Sequence, residues 1–534
     1  MKFLTHAMQT CCTALLLAAG LSLLPLNSAA QQLFDLRATG GNEVELFTTN
    51  YGITGLNIQG NSAGGFWPRS DAQPGAYMFG AGVWFGTIVM EDGAPVKRIF
   101  KTYNPNSGIS WAAPGDVSDG PTLQTDAAAI SKYRIYSSVD YGADGQVLSG
   151  DAPGWPMWST GQAEVGPKTG NLGAYVSDVN ERNTDAQGGG PAFVSDEDLI
   201  CRFKDSDVSL YEGGSANANP IGLQFEQAIY SWADSEHENF VLLRYDVTNV
   251  SGGDLYECYL AHAGDFDIGR PGGGVQSPAA NDRITYHNDL AGRQMVTLWS
   301  ENGPDVSGLD YGYMGVAMLQ SPTLDGNNFV IQNADPTDYE AQIGLTAVRN
   351  WVIQNDPTGA EEGYDFMASG IFDAESTAGD KRLMFASGGF NLRAGETARF
   401  VIGFFFAPSA SGIPNGLLTD VELLVDEVDK GHTLWSGHVV SSVGDAAAAD
   451  FGLQIHPNPV RDQLNITFAP ETPGAQMTIE ILDQTGRTLL TQQVRATSQQ
   501  DNVSLTLDDL AAGSYFCRLS SGGRQQAAGF VVVR

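Results

Sequence analysis

The sequence predicts a mostly β protein, with a large sandwich-type body, one late helix in that body and a small C-terminal β-sandwich. Three observations predict this class. Glycine is abundant, with 64 residues in 534, which indicates many turns. Short apolar runs, many with a period of two, recur between those turns. Hydrophobic residues make up 42% of the chain, enough for a large core.

The charge balance excludes some partners. Asp and Glu number 62 against 28 Lys and Arg, so the formal net charge is −34. Such a chain lacks the basic surface that nucleic acids and anionic lipids require. We therefore expect neither a nucleic-acid partner nor electrostatic attachment to a membrane.

Residues 1–30 predict a secretory signal peptide. Lys2 supplies the positive start, and Ala14–Leu24 is an apolar run of eleven residues. A membrane-spanning helix needs about 20 residues, so this run is too short to be one. Small residues end the segment, and cleavage is predicted after Ala30. Phe400–Phe406 is also too short and predicts a buried strand, so no membrane span is expected.

The body is predicted to cover residues 31–440, with a candidate division into two subdomains near residue 190. Phe240–Val250 and Leu255–Ala261 predict a hairpin that turns at residues 251–254. Further strands are predicted at Gly222–Ser231, Arg293–Trp299, Gly312–Leu319 and Thr397–Ala407.

The late helix is predicted from apolar residues at helical spacing between Leu417 and Val428. Asn415 is a suitable N-cap, and Gly431 is a suitable end.

Three of the five cysteines follow the signal segment, namely Cys201, Cys258 and Cys517. An odd number cannot pair fully within one chain. A Cys201–Cys258 bridge fits an oxidising compartment, but all three lie in apolar runs, which favours buried free thiols.

A calcium site is the one metal centre that the sequence suggests. Asp265, Asp267 and Asp282 flank a glycine-rich stretch at residues 269–274. Hard oxygen ligands on a flexible loop suit Ca²⁺, although an acidic turn facing water is the competing interpretation. The spacing does not fit an EF-hand, and the ion would stabilise the fold more than act in catalysis.

Enzyme motifs are weak, so catalysis is not favoured. Gly60–Gly64 fits the spacing of a nucleophile elbow, but Phe66-Trp67-Pro68 cannot open the helix that must follow. No His-Glu-x-x-His or Cys-x-x-Cys motif occurs. Several tryptophans near Pro and Gly could stack on sugar rings, although most tryptophans simply pack. These are Trp67, Trp111, Trp155 and Trp158.

The C-terminal region changes character after a small, polar linker at residues 441–452. Residues 453–534 then contain several short alternating strands, which predict a small Ig-like β-sandwich. The first strand is preceded by the Pro457-Asn458-Pro459 segment, where the prolines favour an extended backbone.

This tail resembles the type A C-terminal sorting domain of the type IX secretion system. The resemblance rests on the proline–asparagine segment, an Asp-x-x-Gly-Arg turn and a later Gly-Ser-Tyr strand start. The matching positions are Pro457, Asn458, Pro459, Asp483, Gly486, Arg487, Gly513 and Tyr515. The resemblance implies export to the outer surface of a Gram-negative bacterium, with the secretion machinery and a surface sortase as partners.

The body resembles large secreted β proteins of unknown activity, on the basis of residues 190–196, 245–249 and 265–269. Two functions follow as hypotheses. The first is a non-enzymatic binding or structural module at the cell surface, with a glycan among its candidate ligands. The second is an extracellular polysaccharide-degrading hydrolase or lyase.

Overall fold

The computed structural model describes residues 34–533 with internal gaps. The gaps are residues 72–73, 106, 118–119, 121–133, 141–193, 212–218, 270–280, 291–292, 302–310, 333, 337, 358, 375, 443–450, 470–475, 483–487, 497–500, 508–509, 512 and 522–523. The predicted signal peptide and its cleavage site lie outside the described residues.

The body contains 21 described strands, almost all of which belong to two antiparallel sheets. In chain order they are β1 Leu36–Ala38, β2 Glu45–Thr49, β3 Ile53–Thr54, β4 Leu56–Asn57, β5 Ser62–Ala63, β6 Gly65–Trp67, β7 Gly75–Met78, β8 Gly80–Glu91, β9 Ala94–Lys101, β10 Ala113–Pro114, β11 Tyr136–Ser137, β12 Glu197–Lys204, β13 Leu223–Ser231, β14 Phe240–Asn249, β15 Leu255–Asp265, β16 Asp282–Leu290, β17 Arg293–Ser300, β18 Tyr313–Gln320, β19 Ala347–Trp351, β20 Arg382–Leu392 and β21 Thr397–Ala407.

The first sheet has the order β19-β20-β15-β8-β3-β2-β6-β7, with β1 beside β2 and β9 beside β8. The second sheet has the order β10-β12-β13-β14-β21-β18-β17-β16, with β11 beside β12. Strands from both sides of residue 190 share each sheet, since β8 pairs with β15 and β10 pairs with β12. Strands β4 and β5 form a separate small hairpin.

The two sheets pack face to face around one apolar core. Phe85 and Phe385 of the first sheet belong to the same buried cluster as Phe225, Leu243 and Phe404 of the second. Inward-facing residues alternate along these strands with residues of the outer faces, as expected for a sandwich. The predicted β-sandwich body is therefore confirmed.

The predicted hairpin between residues 240 and 261 is wrong in its pairing. Both strands exist, but β14 pairs with β13 and β21, whereas β15 pairs with β8 and β20. The turn at residues 251–254 carries the chain from one sheet to the other. A turn between two apolar strands occurs both in a hairpin and in a crossing between sheets, so the local sequence pattern could not distinguish the two connections.

Among the described residues, two α-helices cover the outer faces of the sandwich: α1 Gly359–Met367 and α2 Glu422–Ser442. Met367 of α1 packs with Trp84 on the first sheet. Trp435 of α2 packs with Phe405 on the second sheet. The late helix is thus confirmed, and a second, short helix joins it.

The boundaries of the late helix differ from the prediction. Leu417 is 62% exposed and precedes the helix, which begins at Glu422 and continues through Gly431 to Ser442. A Cβ at Gly431 would lie 2.4 Å from Cε1 of Phe405. Glycine at this position lets α2 approach the sheet closely and does not end the helix. No helix among the described residues has the length and apolar character to cross a membrane.

The tail forms a second, smaller sandwich with its own core. Its strands are β22 Gln454–His456, β23 Gln463–Phe468, β24 Gln476–Leu482, β25 Thr488–Arg495, β26 Asp501–Thr506, β27 Gly513–Ser521 and β28 Arg524–Val532. A three-stranded sheet, β22-β23-β26, faces a four-stranded sheet, β25-β24-β27-β28.

The edges of the predicted linker belong to structured elements. Ser441 and Ser442 are the last residues of α2. Phe451 is buried in the core of the tail, and its carbonyl accepts a hydrogen bond from Ala469 N at 2.5 Å.

Candidate functional site

A cluster of carboxylates lies at the end of β15 and near the starts of β16 and β20, which belong to the two body sheets. Asp265 is the last residue of β15 in the first sheet, and Asp380 lies two residues before β20 in the same sheet. One oxygen each from Asp265, Asp267 and Asp380 lies within 4.8 Å of the others. Asp282 is the first residue of β16, so it brings the second sheet to this acidic cluster.

Arg382 supplies a positive charge inside the acidic cluster. It pairs with Asp265 across β15 and β20, and its Nη1 donates to the carboxylates of Asp265 and, at 2.5 Å, Asp380. One guanidinium thus pairs with two of the four carboxylates, which leaves an excess of negative charge in the cluster.

Two of these carboxylates have oxygens with no hydrogen-bond partner among the described residues. Asp282 is 2% exposed; its Oδ1 accepts from Ile268 N at 3.2 Å, while its buried Oδ2 has no such partner. Asp267 Oδ1 is likewise buried and unpaired. Buried polar atoms are normally hydrogen-bonded, so two such oxygens in one cluster need an explanation.

Burial and mutual repulsion disfavour the charged forms. Desolvation, and then the Asp267 charge, raise the pKa of Asp265 to about 8. Desolvation and the Asp380 charge raise the pKa of Asp267 to about 6. The pKa of Asp282 is also raised well above its usual range, first by burial and then by Asp267.

The sequence thus identified three of the four carboxylates. It missed Asp380, which is 115 positions beyond Asp265 in the chain, because 62 acids offer no local signal that marks one of them. The pairing of β15 with β20 brings Asp380 and Arg382 to the cluster.

The other candidates for chemistry have structural roles where they are described. Trp67 stacks on Phe406 with ring centroids 6.0 Å apart and donates to Asn239 at 3.0 Å. Trp111 stacks on Tyr211 at 5.0 Å. Trp155 and Trp158 lie outside the described residues. In the Gly60–Gly64 segment, Ser62 belongs to the β4–β5 hairpin and no helix follows it.

Cys201, Cys258 and Cys517 are free and buried. Burial raises the pKa of each thiol, to about 12 for Cys258 and Cys517. A thiol that stays protonated is a poor nucleophile, so these residues contribute packing.

The tail motif joins the two ends of its domain. Val460 N donates to Val531 O at 2.8 Å, and Val533 N donates back to Val460 O at 2.8 Å. Asn458 adds side-chain hydrogen bonds to the same last strand. Pro457 and Pro459 flank that asparagine.

Other motif positions act near the start of β27. Gly513 is the first residue of that strand. The Tyr515 hydroxyl donates to Ala511 O at 3.0 Å, and its ring stacks on Phe530 at 5.8 Å. Asp483, Gly486 and Arg487 lie outside the described residues.

The architecture defines a β-sandwich body followed by a separate, small C-terminal β-sandwich. Residues 454–533 match the family described as the secretion system C-terminal sorting domain. The tail is the sorting domain of the type IX secretion system. It directs the protein to the outer cell surface or extracellular space of a Gram-negative member of the Bacteroidetes.

Comparison with solved structures gives remote similarities. A polysaccharide lyase aligns with 94% of this chain and 46% of its own length, at 8% identity and a TM-score of 0.24. Latent PorU from Porphyromonas gingivalis aligns with 63% of this chain and 31% of its own, at 12% identity and a TM-score of 0.14. The BSP domain of a biofilm-associated protein aligns over 63% and 60%, at 10% identity and a TM-score of 0.15.

The chain spans less than two thirds of each of these structures, and such TM-scores carry no functional conclusion. No curated protein matches the chain.

Proposed function

We propose that the body is a non-enzymatic binding or structural module that works outside the cell after export through the type IX system. The observation that carries this proposal is that a sorting domain at residues 454–533 follows a body whose buried charged residues form ion pairs between neighbouring strands. A surface sortase then removes the tail and either anchors or releases the body.

The charged residues of the second sheet support this interpretation. Arg202 donates to Glu226 at 2.6 Å, and the buried Arg244 donates to the same carboxylate at 2.5 Å. Asp246 accepts two hydrogen bonds from Arg399 at 2.7 Å. These ion pairs run across β12, β13, β14 and β21, where they tie neighbouring strands together.

The positions of the described tryptophans also support a non-enzymatic module. Trp67 and Trp111 pack against aromatic side chains of the body, so their ring faces are engaged within the fold. A glycan ligand, if the body has one, would therefore use other groups of the surface.

A paired assay separates the module from the competing hypothesis, a polysaccharide-degrading enzyme. The purified full chain is incubated with acidic and neutral bacterial polysaccharides. Reducing ends and the ultraviolet absorbance of unsaturated uronic acids are measured, and binding to the same glycans is measured in parallel. We expect no new chain ends, whether or not a glycan binds.

Release of oligosaccharides by the wild type that Asp267→Asn abolishes would overturn the proposal and assign catalysis to the acidic cluster. The matched control is Asp234→Asn, which removes an acid from an exposed turn of the body. Its activity must equal that of the wild type for the comparison to hold.

A further inference from the structure

The acidic cluster has the arrangement expected of a cation site. Its carboxylates come from three separate stretches of chain, the end of β15, the start of β16 and the approach to β20. The independent observation is Asp282, whose side chain is almost completely buried and whose Oδ2 has no hydrogen-bond partner among the described residues. Ile268 N donates to Asp282 Oδ1 at 3.2 Å and Gly379 N donates to Asp282 O at 3.1 Å, so Asp282 lies beside the segments that carry Asp267 and Asp380.

We propose that Asp267, Asp282 and Asp380 bind one Ca²⁺ ion that fastens the two sheets of the body together, with Asp265 and Arg382 as an ion pair at its side. This inference is independent of whether the body binds a glycan or acts on one.

The charge balance favours a divalent ion. Arg382 supplies one positive charge against four carboxylates, so the cluster carries three negative charges when all four are deprotonated. A divalent cation reduces this excess to one negative charge. Two oxygens that are buried and unpaired, one on Asp267 and one on Asp282, then gain a partner.

The donor chemistry selects the kind of ion. The cluster offers carboxylate oxygens, which suit Ca²⁺, whereas zinc sites use His and Cys. Oxygens that share one Ca²⁺ ion lie about 2.3–2.6 Å from it, and therefore within roughly 5 Å of each other. The oxygens of Asp267 and Asp380, two of the three proposed ligands, lie within 4.8 Å of each other and meet this condition. The side chain of Asp380 is 45% exposed, which gives the ion a route from solvent.

The position of the site gives the ion a structural task. Asp267 and Asp380 belong to segments of the first sheet, whereas Asp282 starts an edge strand of the second. One ion would therefore link the two sheets, in addition to the backbone hydrogen bond from Gly379 N to Asp282 O at 3.1 Å. A protein that works outside the cell meets calcium at concentrations that such surface sites require.

The test is calcium binding by the purified full chain after removal of metal with a chelator. Isothermal titration with CaCl₂ and thermal unfolding across a calcium series are measured for the wild type, Asp267→Asn, Asp282→Asn and Asp380→Asn. We expect a melting temperature that rises with calcium in the wild type. Each variant should lose at least tenfold in affinity, and magnesium should bind more weakly than calcium.

The melting temperature without metal provides a second readout. In chelator, Asp282→Asn should be more stable than the wild type because it removes a carboxyl whose ionisation is disfavoured by burial and by the neighbouring acids. In saturating calcium that order should reverse. If the carboxylate only supported packing, calcium would not reverse the order of the two melting temperatures.

Asp234→Asn is the matched control, because Asp234 belongs to an exposed acidic turn with Glu236 and His237 that also brings ligand atoms together. Its calcium affinity should equal that of the wild type. The proposal is overturned if the wild type neither binds calcium nor gains thermal stability, or if Asp267→Asn and Asp380→Asn bind as the wild type does. Asp380 is partly exposed, so its variant remains informative if Asp282→Asn does not fold.

Discussion

The side chain of Asn458 accepts a hydrogen bond from the backbone N–H of Val531 at 3.0 Å. The amide group of the same side chain donates to Gly529 O at 3.2 Å. These two bonds fix the segment that precedes the sorting domain's first long strand to the strand that ends the domain. The asparagine of the Pro-Asn-Pro motif therefore holds the two ends of the domain together.

Asn458→Ala should loosen the last strand and reduce export. Each lost hydrogen bond is worth about 1 kcal/mol, and less where water can replace it, as at this exposed residue. Hydrogen exchange at the Val531 amide should accelerate, and the exported fraction should fall. Asn502→Ala, at an exposed position of β26, is the control and should change neither. Unchanged exchange at Val531 in Asn458→Ala would contradict this role.

Gly431→Ala should destabilise the body although alanine is the better helix former. The new Cβ would lie 2.4 Å from Phe405 Cε1, and overpacking of this kind costs about 1–3 kcal/mol. The gain in helix propensity is at most about 1 kcal/mol. Urea unfolding measures the difference. Gly253→Ala, which meets no atom within 4 Å, is the control. A rise in stability for Gly431→Ala would show that α2 does not press on the sheet.

His262 should make the body sensitive to acid. It lies between the sheets among Phe385, Phe404 and Tyr245, and burial lowers its pKa to about 3. The unfolded chain takes up a proton near pH 6.5, whereas the folded chain does not until about pH 3. Stability is therefore complete above pH 6.5 and falls as the pH drops from there towards 3, by up to about 1.4 kcal/mol per pH unit.

Urea unfolding between pH 7 and pH 4 measures this dependence. His262→Phe should flatten the slope, whatever its effect on absolute stability. Met90→Leu, at an exposed position of the body, changes no titrating group and should leave the slope as it is. An equal slope in the wild type and His262→Phe would contradict the assignment.

Glu226→Gln should strongly destabilise the second sheet. Glu226 and Arg244 are both buried, and their side chains meet at 2.5 Å. Removal of one partner from a buried ion pair costs about 3–5 kcal/mol because the other charge stays buried. The comparison is Glu301→Gln, which breaks a more exposed pair with Arg283 and should cost much less. Equal losses in urea unfolding would refute the distinction.

Local sequence pattern predicted a good part of this fold. Alternation and apolar runs placed strands such as β13, β14 and β21 within one residue of their observed ends. The pattern failed at the connection after β14, because two apolar strands separated by a turn look the same whether they pair with each other or with other strands. The predicted end of the late helix was wrong for a similar reason, because Gly431 allows close contact with Phe405, a residue far away in the sequence.

In the candidate site, too, some residues could be predicted from local sequence and one could not. Asp265, Asp267 and Asp282 stand out because they flank a glycine-rich stretch, whereas Asp380 has no such neighbour. Its place beside Asp265 depends on a strand pairing between residues more than 100 positions apart.

The sequence by itself determined the β character, the acidic surface and the sorting tail, because composition, periodicity and a local motif are written in neighbouring residues. The tertiary structure decided which strands share a sheet, which glycine lets a helix approach the sheet, and which acids lie in one cluster with Arg382. These three features depend on contacts between residues that are distant in the sequence, and such contacts produce no pattern in the neighbouring residues of the chain.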